Sequence, residues 1–281
     1  MPGILRSKIH IETLTNTMKI NIRFLLLSAA IAALFSSLVY PDEVFIPATQ
    51  IEKGKSSFAL YYRAYTEKLD FSVSQKDVIK VGSLSYISGS QTDLESNGTA
   101  GGVYVKLMIN PNNGLYYWLN AGLINYNLDA PALGVTNKYS SQDQGWMCGV
   151  GARKLLLPGT IVTPAVALDI GINYYRFAFD CLRSGDAAPV SADDQLQILE
   201  TQADVVISKR IEKFEPYGGL KVYRKASTLA DKLNYSNVSG IKNSAGLFLG
   251  CKFNFYQHEA LVLEGSFGED TSFSAGLNIE F

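Results

Sequence analysis

Histidine and cysteine are scarce in this chain of 281 residues, with two of the first and three of the second. Cys148, Cys181 and Cys251 are scattered and no CxxC occurs, which excludes a disulfide framework or a zinc site; Cys148 and Cys251 are expected mid-strand, reduced and apolar. Imidazole is the side chain best suited to general-base work near neutral pH. Here His10 precedes the folded part and His258 falls in a turn, so catalysis of the kind that pairs His with Ser, Asp or Glu is not expected. Asp169, Glu200 and Asp204 could form a carboxylate site, but Arg153 and Lys221 are at hand to neutralise them. No run outside residues 24–34 approaches the roughly 20 apolar residues of a spanning helix. Charge is also sparse, at 18%. Without residues 1–40 the chain keeps 21 of its 25 bases and 25 of its 26 acids, and it carries no basic stripe for nucleic acid. No cofactor is expected.

Apolar residues make up 47% of the chain, with 24 Gly, 16 Tyr and 14 Phe, a composition too hydrophobic for disorder. Residues 1–40 look like a targeting segment. From Met18, Lys19 and Arg23 form a basic start, Phe24 to Leu34 an apolar stretch, and Ser36-Ser37 a small-residue patch. Residues 41–55, with Pro41, Pro47 and Gly54, read as a linker. Residues 56–281 form the folded domain.

Within that domain apolar and polar residues alternate with a period of two, as strands with one apolar face do. The last ten residues show the pattern at its strictest: Phe273, Ala275, Leu277, Ile279 and Phe281 on one face, Ser272, Ser274, Gly276, Asn278 and Glu280 on the other. Nine earlier segments repeat it, beginning near residues 56, 102, 115, 146, 162, 199, 217, 246 and 261. Short turns at 110–114, 157–161, 210–214 and 256–258 alternate with long polar excursions at 67–98, 129–143, 180–193 and 227–243; the last hairpin, 268–271, is short. This is the layout of an antiparallel up-and-down transmembrane β-barrel with short turns on one side and loops on the other. Ten strands are expected. Val78, Lys80, Gly82, Leu84 and Tyr86 also alternate, and a pair of strands in 67–98 would raise the number to twelve.

If the apolar set faces lipid, charge belongs on the complementary set. Arg63, Lys106, Arg153, Lys221 and Lys252 lie there, as do Asp169, Glu200, Asp204, Glu264 and Glu280. Five of each sign make a salt-bridged interior the main expectation and a narrow, weakly selective channel the second, since about eight strands leave room only for side chains. Glycines at 102, 122, 149, 151, 171, 219, 246 and 250 share this face and are expected to relieve crowding. The acidic pairs Asp193-Asp194 and Glu269-Asp270 read as solvated loop ends rather than calcium ligands.

The alternating strands, the Tyr217-Gly218-Gly219-Leu220-Lys221 segment and the ending Gly276-Leu277-Asn278-Ile279-Glu280-Phe281 resemble small bacterial outer-membrane β-barrels of the opacity-protein and OmpA-like type. The resemblance covers residues 56–281 and implies outer-membrane lipid as the surroundings and Phe281 as the signal read by the barrel-assembly machinery. The peptidoglycan-binding domain of longer members is expected to be absent. A non-catalytic envelope or surface role follows, with a passive porin and an adhesin with an unknown external ligand as the alternatives.

Overall fold

A computed structural model describes residues 54–73, 92–112, 114–132, 135–140, 144–185, 188–231 and 236–281. The targeting segment, most of the linker and the candidate strand pair at 78–86 lie outside these residues. The described part is all β and antiparallel, with no helix long and apolar enough to cross a membrane. Its strands are β1 (Ser56–Val73), β2 (Thr92–Asn112), β3 (Leu115–Ala132), β4 (Val135–Ser140), β5 (Gly145–Leu157), β6 (Ala165–Ser184), β7 (Val190–Ser208), β8 (Phe214–Asp231), β9 (Ser236–Asn254), β10 (Glu259–Gly268) and β11 (Thr271–Glu280).

Ten of these strands pair in chain order, and β11 returns to pair with β1 from Ser57↔Glu280 to Thr66↔Thr271. The remaining strand, β4, continues the sheet beyond the start of β5, between the ends of β3 and β6. The chain end is tied in by reciprocal backbone bonds between Ser56 and Phe281 at 2.8 and 2.9 Å.

Side chains alternate between two environments. On the outward face, five strands carry a stretch of five alternate positions: 101–109 on β2, 115–123 on β3, 166–174 on β6, 199–207 on β7 and 245–253 on β9. These are almost all apolar, and Leu249 remains 64% exposed. Eight residue intervals span about 27 Å along a strand, or about 21 Å once tilted by about 40°, close to the apolar band of a membrane barrel. The next outward residues are Thr99, Asn125, Arg176, Gln197 and Asn243, all polar and exposed. Arg176 and Gln197 are register partners, as are Arg224 and Asn243, so the change falls at matching positions of β6 with β7 and of β8 with β9.

Above that level the strands continue. The excursions expected at 129–143, 180–193 and 227–243 are largely strand, as are 67–73 and 92–98 of the first. The physical reason is that hydropathic alternation stops where the outward surroundings become polar, while the backbone groups still need partners and keep the ladder going. On the inner face large apolar side chains join the polar ones there: Leu69, Phe71, Leu128, Phe179, Leu196 and Leu229 are buried. At the other end, Val162 and Pro164 belong to the turn preceding β6 rather than to the strand expected from residue 162. There Lys209 Nζ donates to the carbonyls of Thr160, Ile161 and Thr163 at 2.8, 2.6 and 3.2 Å, holding the 158–164 segment as a loop.

Candidate functional site: the charged interior

The inner face is an ordered set of buried charges. Arg63, Lys106, Arg153, Asp169, Glu200, Asp204, Lys221, Lys252 and Glu264 are buried, and Glu280 is half-buried at the chain end. Strand register brings four of them into one row: Arg153 opposite Asp169, Asp169 opposite Asp204, and Asp204 opposite Lys221, so two acids on β6 and β7 lie between a base on β5 and a base on β8. Arg153 donates to Asp169 Oδ2 through Nε at 2.8 Å, with its Nη2 2.7 Å away. Trp118 Nε1 donates to the other carboxylate oxygen at 2.7 Å. Both oxygens of Asp169 are thereby engaged, which offsets the several kcal/mol that a buried ion costs in desolvation.

A second group lies one step toward the polar end, centred on Lys225. Its ammonium is 2.5 Å from Glu67 Oε2, 2.6 Å from Asp270 Oδ2 and 3.6 Å from Glu200 Oε2. Tyr126 donates its hydroxyl to Glu67 Oε1 at 2.8 Å, and Asn173 donates to Glu200 at 3.2 Å. Lys221 stands 3.8 Å from Glu200. Lys225, Glu67 and Asp270 were not among the interior charges expected from the alternation. Glu67 falls in the excursion expected at 67–98, Asp270 in an acidic pair expected to be solvated, and Lys225 between the strand expected from 217 and the excursion expected at 227–243. The available signal was parity: Lys225 is in phase with Lys221, and Glu67 with Arg63. Asp194 likewise turns inward and is buried, so in each acidic pair the second residue is not a solvated loop end.

Interior glycines occupy the gaps across which large side chains reach. Trp118, Gly151 and Gly171 are successive register partners on β3, β5 and β6. A Cβ on either glycine would lie 2.2–2.3 Å from the indole, so the ring occupies the space that two side chains would have taken. By the same device Asn120 reaches over Gly149 to Asn173 at 3.2 Å, and Tyr217 over Gly250 to Glu264 at 2.8 Å. Cations pack on ring faces as well, with Lys106 4.4 Å from the Trp118 centroid and Arg63 4.5 Å from that of Tyr65. Toward the polar end, Tyr126 stacks on Phe177 with centroids 4.2 Å apart and Tyr139 meets Phe179 at 5.5 Å, an apolar layer above the charges. The space bounded by Arg63, Tyr65, Glu67, Tyr175, Glu200 and Lys225 is too small for a water molecule to enter.

Outside this interior the chemistry is thin. Among the described residues no group of three or more His, Cys, Asp or Glu is placed to hold a metal, and the three cysteines are free. Cys148 points outward on β5, and His258 is exposed in the turn before β10. At the polar rim Lys242 lies 3.5 Å from Asp70 and 3.4 Å from Glu269. Ser244 donates a hydrogen bond to Glu269, and this bond, with Lys242 nearby, holds the Glu269 carboxyl below its usual range.

No family model and no curated protein matches the chain in sequence. Solved structures do match in fold. The outer-membrane protease OmpT from Escherichia coli is 9% identical over 83% of this chain and 98% of its own, with a TM-score of 0.51. The translocator domain of the autotransporter NalP from Neisseria meningitidis is 9% identical over 82% and 89%, with a TM-score of 0.45. Ail, the attachment invasion locus protein of Yersinia pestis, is 11% identical over 82% and 100%, with a TM-score of 0.33. At such identities the likeness to OmpT bears on fold alone, and none of the three singles out the opacity-protein and OmpA-like group. Cyclic strand order, an apolar outward belt and this likeness together give the chain the fold of an outer-membrane β-barrel protein.

Proposed function

We propose that this chain is a non-conducting, non-catalytic protein of the bacterial outer membrane, a closed ten-stranded barrel that carries a rigid sheet extension beyond the lipid and serves the envelope or cell surface. The filled interior carries this reading. Paired charges cross the sheet at the level of the belt, an aromatic layer lies above them, and no water-sized space separates Glu67, Glu200 and Lys225. A passive porin needs a continuous wet path, which this packing opposes. The ten interior charges expected from alternation, together with Glu67, Lys225 and Asp270, act in this reading as the network that holds the barrel closed. Residues 1–40 direct export and are followed by a linker at 41–55. Phe281, 64% exposed at the seam between β11 and β1, is the residue through which the assembly machinery reads the last strand. The surface open to an external ligand is the polar outward face of the extensions beyond Thr99, Asn125, Arg176 and Asn243.

Planar-bilayer recording on the refolded protein tests the closure. The expected outcome is a flat baseline at moderate voltage and neutral pH. Stable, uniform conductance steps would overturn the closed interior and restore the porin.

A further inference from the structure

On the lipid-facing wall a hollow lies between β7, β8 and β9 at the turn end. The outward positions of β8 there read Pro216, Gly218, Leu220. Gly218 has Ile207 of β7 and Leu249 of β9 as register partners, both exposed. An apolar groove of about 530 Å³ runs past Gly218, walled by Ile207, Leu220, Leu247 and Leu249, with the Leu249 side chain leaning toward the glycine, 2.8 Å from where a Cβ would stand. At its turn end the groove meets a second hollow of about 560 Å³ between the 158–164 and 209–213 turns; the two share Ser208 and Lys209. Each volume lies in the range of small-molecule sites.

The two halves differ in chemistry. The second hollow is lined by Lys209, Arg210, Thr160, Thr163 and Glu212, two cations against one anion. Lys209 is held in place by three turn carbonyls, while Arg210 is exposed. Beside them Ile161 and Val162 are 97% and 85% exposed, apolar side chains at a turn that borders the apolar belt. Water would not favour such exposure, whereas the boundary between headgroups and acyl chains would.

We infer that this paired hollow and groove binds one anionic glycerophospholipid from the leaflet at the turn end, with its phosphate accepting from Arg210 in the field of the Lys209 charge and one acyl chain along the groove past Gly218. Charge complementarity selects the headgroup, and the apolar walls of Ile207, Leu220, Leu247 and Leu249 accept the chain. The inference rests on the membrane reading above. It extends that reading from a generic solvent of lipid to one ordered molecule.

Native mass spectrometry of the detergent-refolded full chain, incubated with phosphatidylglycerol or phosphatidylcholine of equal chain length, tests it. One phosphatidylglycerol per barrel is expected to be retained in clear preference to phosphatidylcholine. Arg210→Gln, an exposed turn change that spares folding, is expected to cut that retention about tenfold, the worth of one charge-assisted hydrogen bond. Gly218→Leu, which fills the groove, is expected to lower retention of both lipids. Its folding is checked by heat-dependent gel mobility, and a failure to fold leaves Arg210→Gln as the deciding variant. Equal retention of the two lipids, or an unchanged Arg210→Gln, would overturn the site while leaving the membrane reading standing. A lipid-free dimer would assign the groove to a second copy of the chain instead. A protein that enters neither micelles nor vesicles would remove both readings.

Discussion

Replacing Lys225 with methionine keeps the length of the side chain and removes one charge from a place where three carboxylates converge. Glu67 and Asp270 lie 2.5 and 2.6 Å from the ammonium and Glu200 lies 3.6 Å away, with Lys225, Glu67, Asp270 and Glu200 each no more than 4% exposed as side chains. Removing one partner of a buried ion pair costs about 3–5 kcal/mol, because the charge left behind stays desolvated. Glu200 keeps Lys221 at 3.8 Å, but Glu67 and Asp270 lose their closest cation. With a urea slope of about 3 kcal/mol per molar, the unfolding midpoint should fall by about 1–2 M. Reversible urea unfolding in vesicles, followed by the fluorescence of Trp118 and Trp146, measures it. The triple variant Lys225→Met, Glu67→Gln, Asp270→Asn removes the cation together with the two anions nearest to it, and should recover most of the loss. A single variant with an unchanged midpoint, or a triple variant as weak as the single one, would refute the view that the interior is held by compensated charge.

Two substitutions on the outward face of β6 separate the belt from the extension. Ile170→Arg, mid-belt, should cost about 2–4 kcal/mol and depress assembly, whereas Ala178→Arg, on the same face beyond Arg176, should be neutral; equal vesicle folding yields would refute the lipid assignment. Gly171→Val puts a Cβ 2.3 Å from Trp118 Cζ2, so the indole must leave and release its bond to Asp169; the expected loss is about 1–3 kcal/mol with a shifted Trp emission, and an unaltered spectrum would contradict the packing. At the polar rim, Ser244→Ala should raise the titration midpoint of Glu269, read by carboxyl-carbon NMR. Since that carboxyl is depressed in the folded protein, its contribution is present above the unfolded value of about 4.3 and is lost as pH falls through the folded one; a midpoint that does not rise would dismiss the Ser244 bond as its cause.

Period two is a local property, so it was readable without a structure. Phe58, Leu60 and Tyr62 stand out against Tyr61 and Arg63 in the string itself, and the same holds for the ten segments that became the cyclic strands. The face on which Arg153, Asp169 and Lys221 lie followed from the same parity, because successive side chains on a strand must point to opposite sides. Strand ends did not follow. Beyond Tyr174 the outward Arg176 is polar while the inner Tyr175, Phe177 and Phe179 are aromatic, and beyond Val222 the outward Arg224 and the inner Lys225 are alike in kind, so the contrast that marks a strand reverses or vanishes.

Which charge meets which was decided only by the tertiary structure. Lys225 and Glu67 are 158 residues apart in the chain, and their 2.5 Å contact depends on the stagger accumulated around the sheet, which no local pattern encodes. The interior glycines show the same division. Their alternation with bulky neighbours was visible in the string, but that Trp118 lies over Gly151 and Gly171, and Tyr217 over Gly250, required the register of β3 with β5 and β6 and of β8 with β9. The groove at Gly218 is the outward counterpart: it exists only because pairing sets Ile207 of β7 and Leu249 of β9 on either side of the glycine. Composition and period determined that there would be an apolar wall and a polar interior; pairing register, a property of the whole cycle of strands, determined which charges meet in the interior and where the wall is grooved.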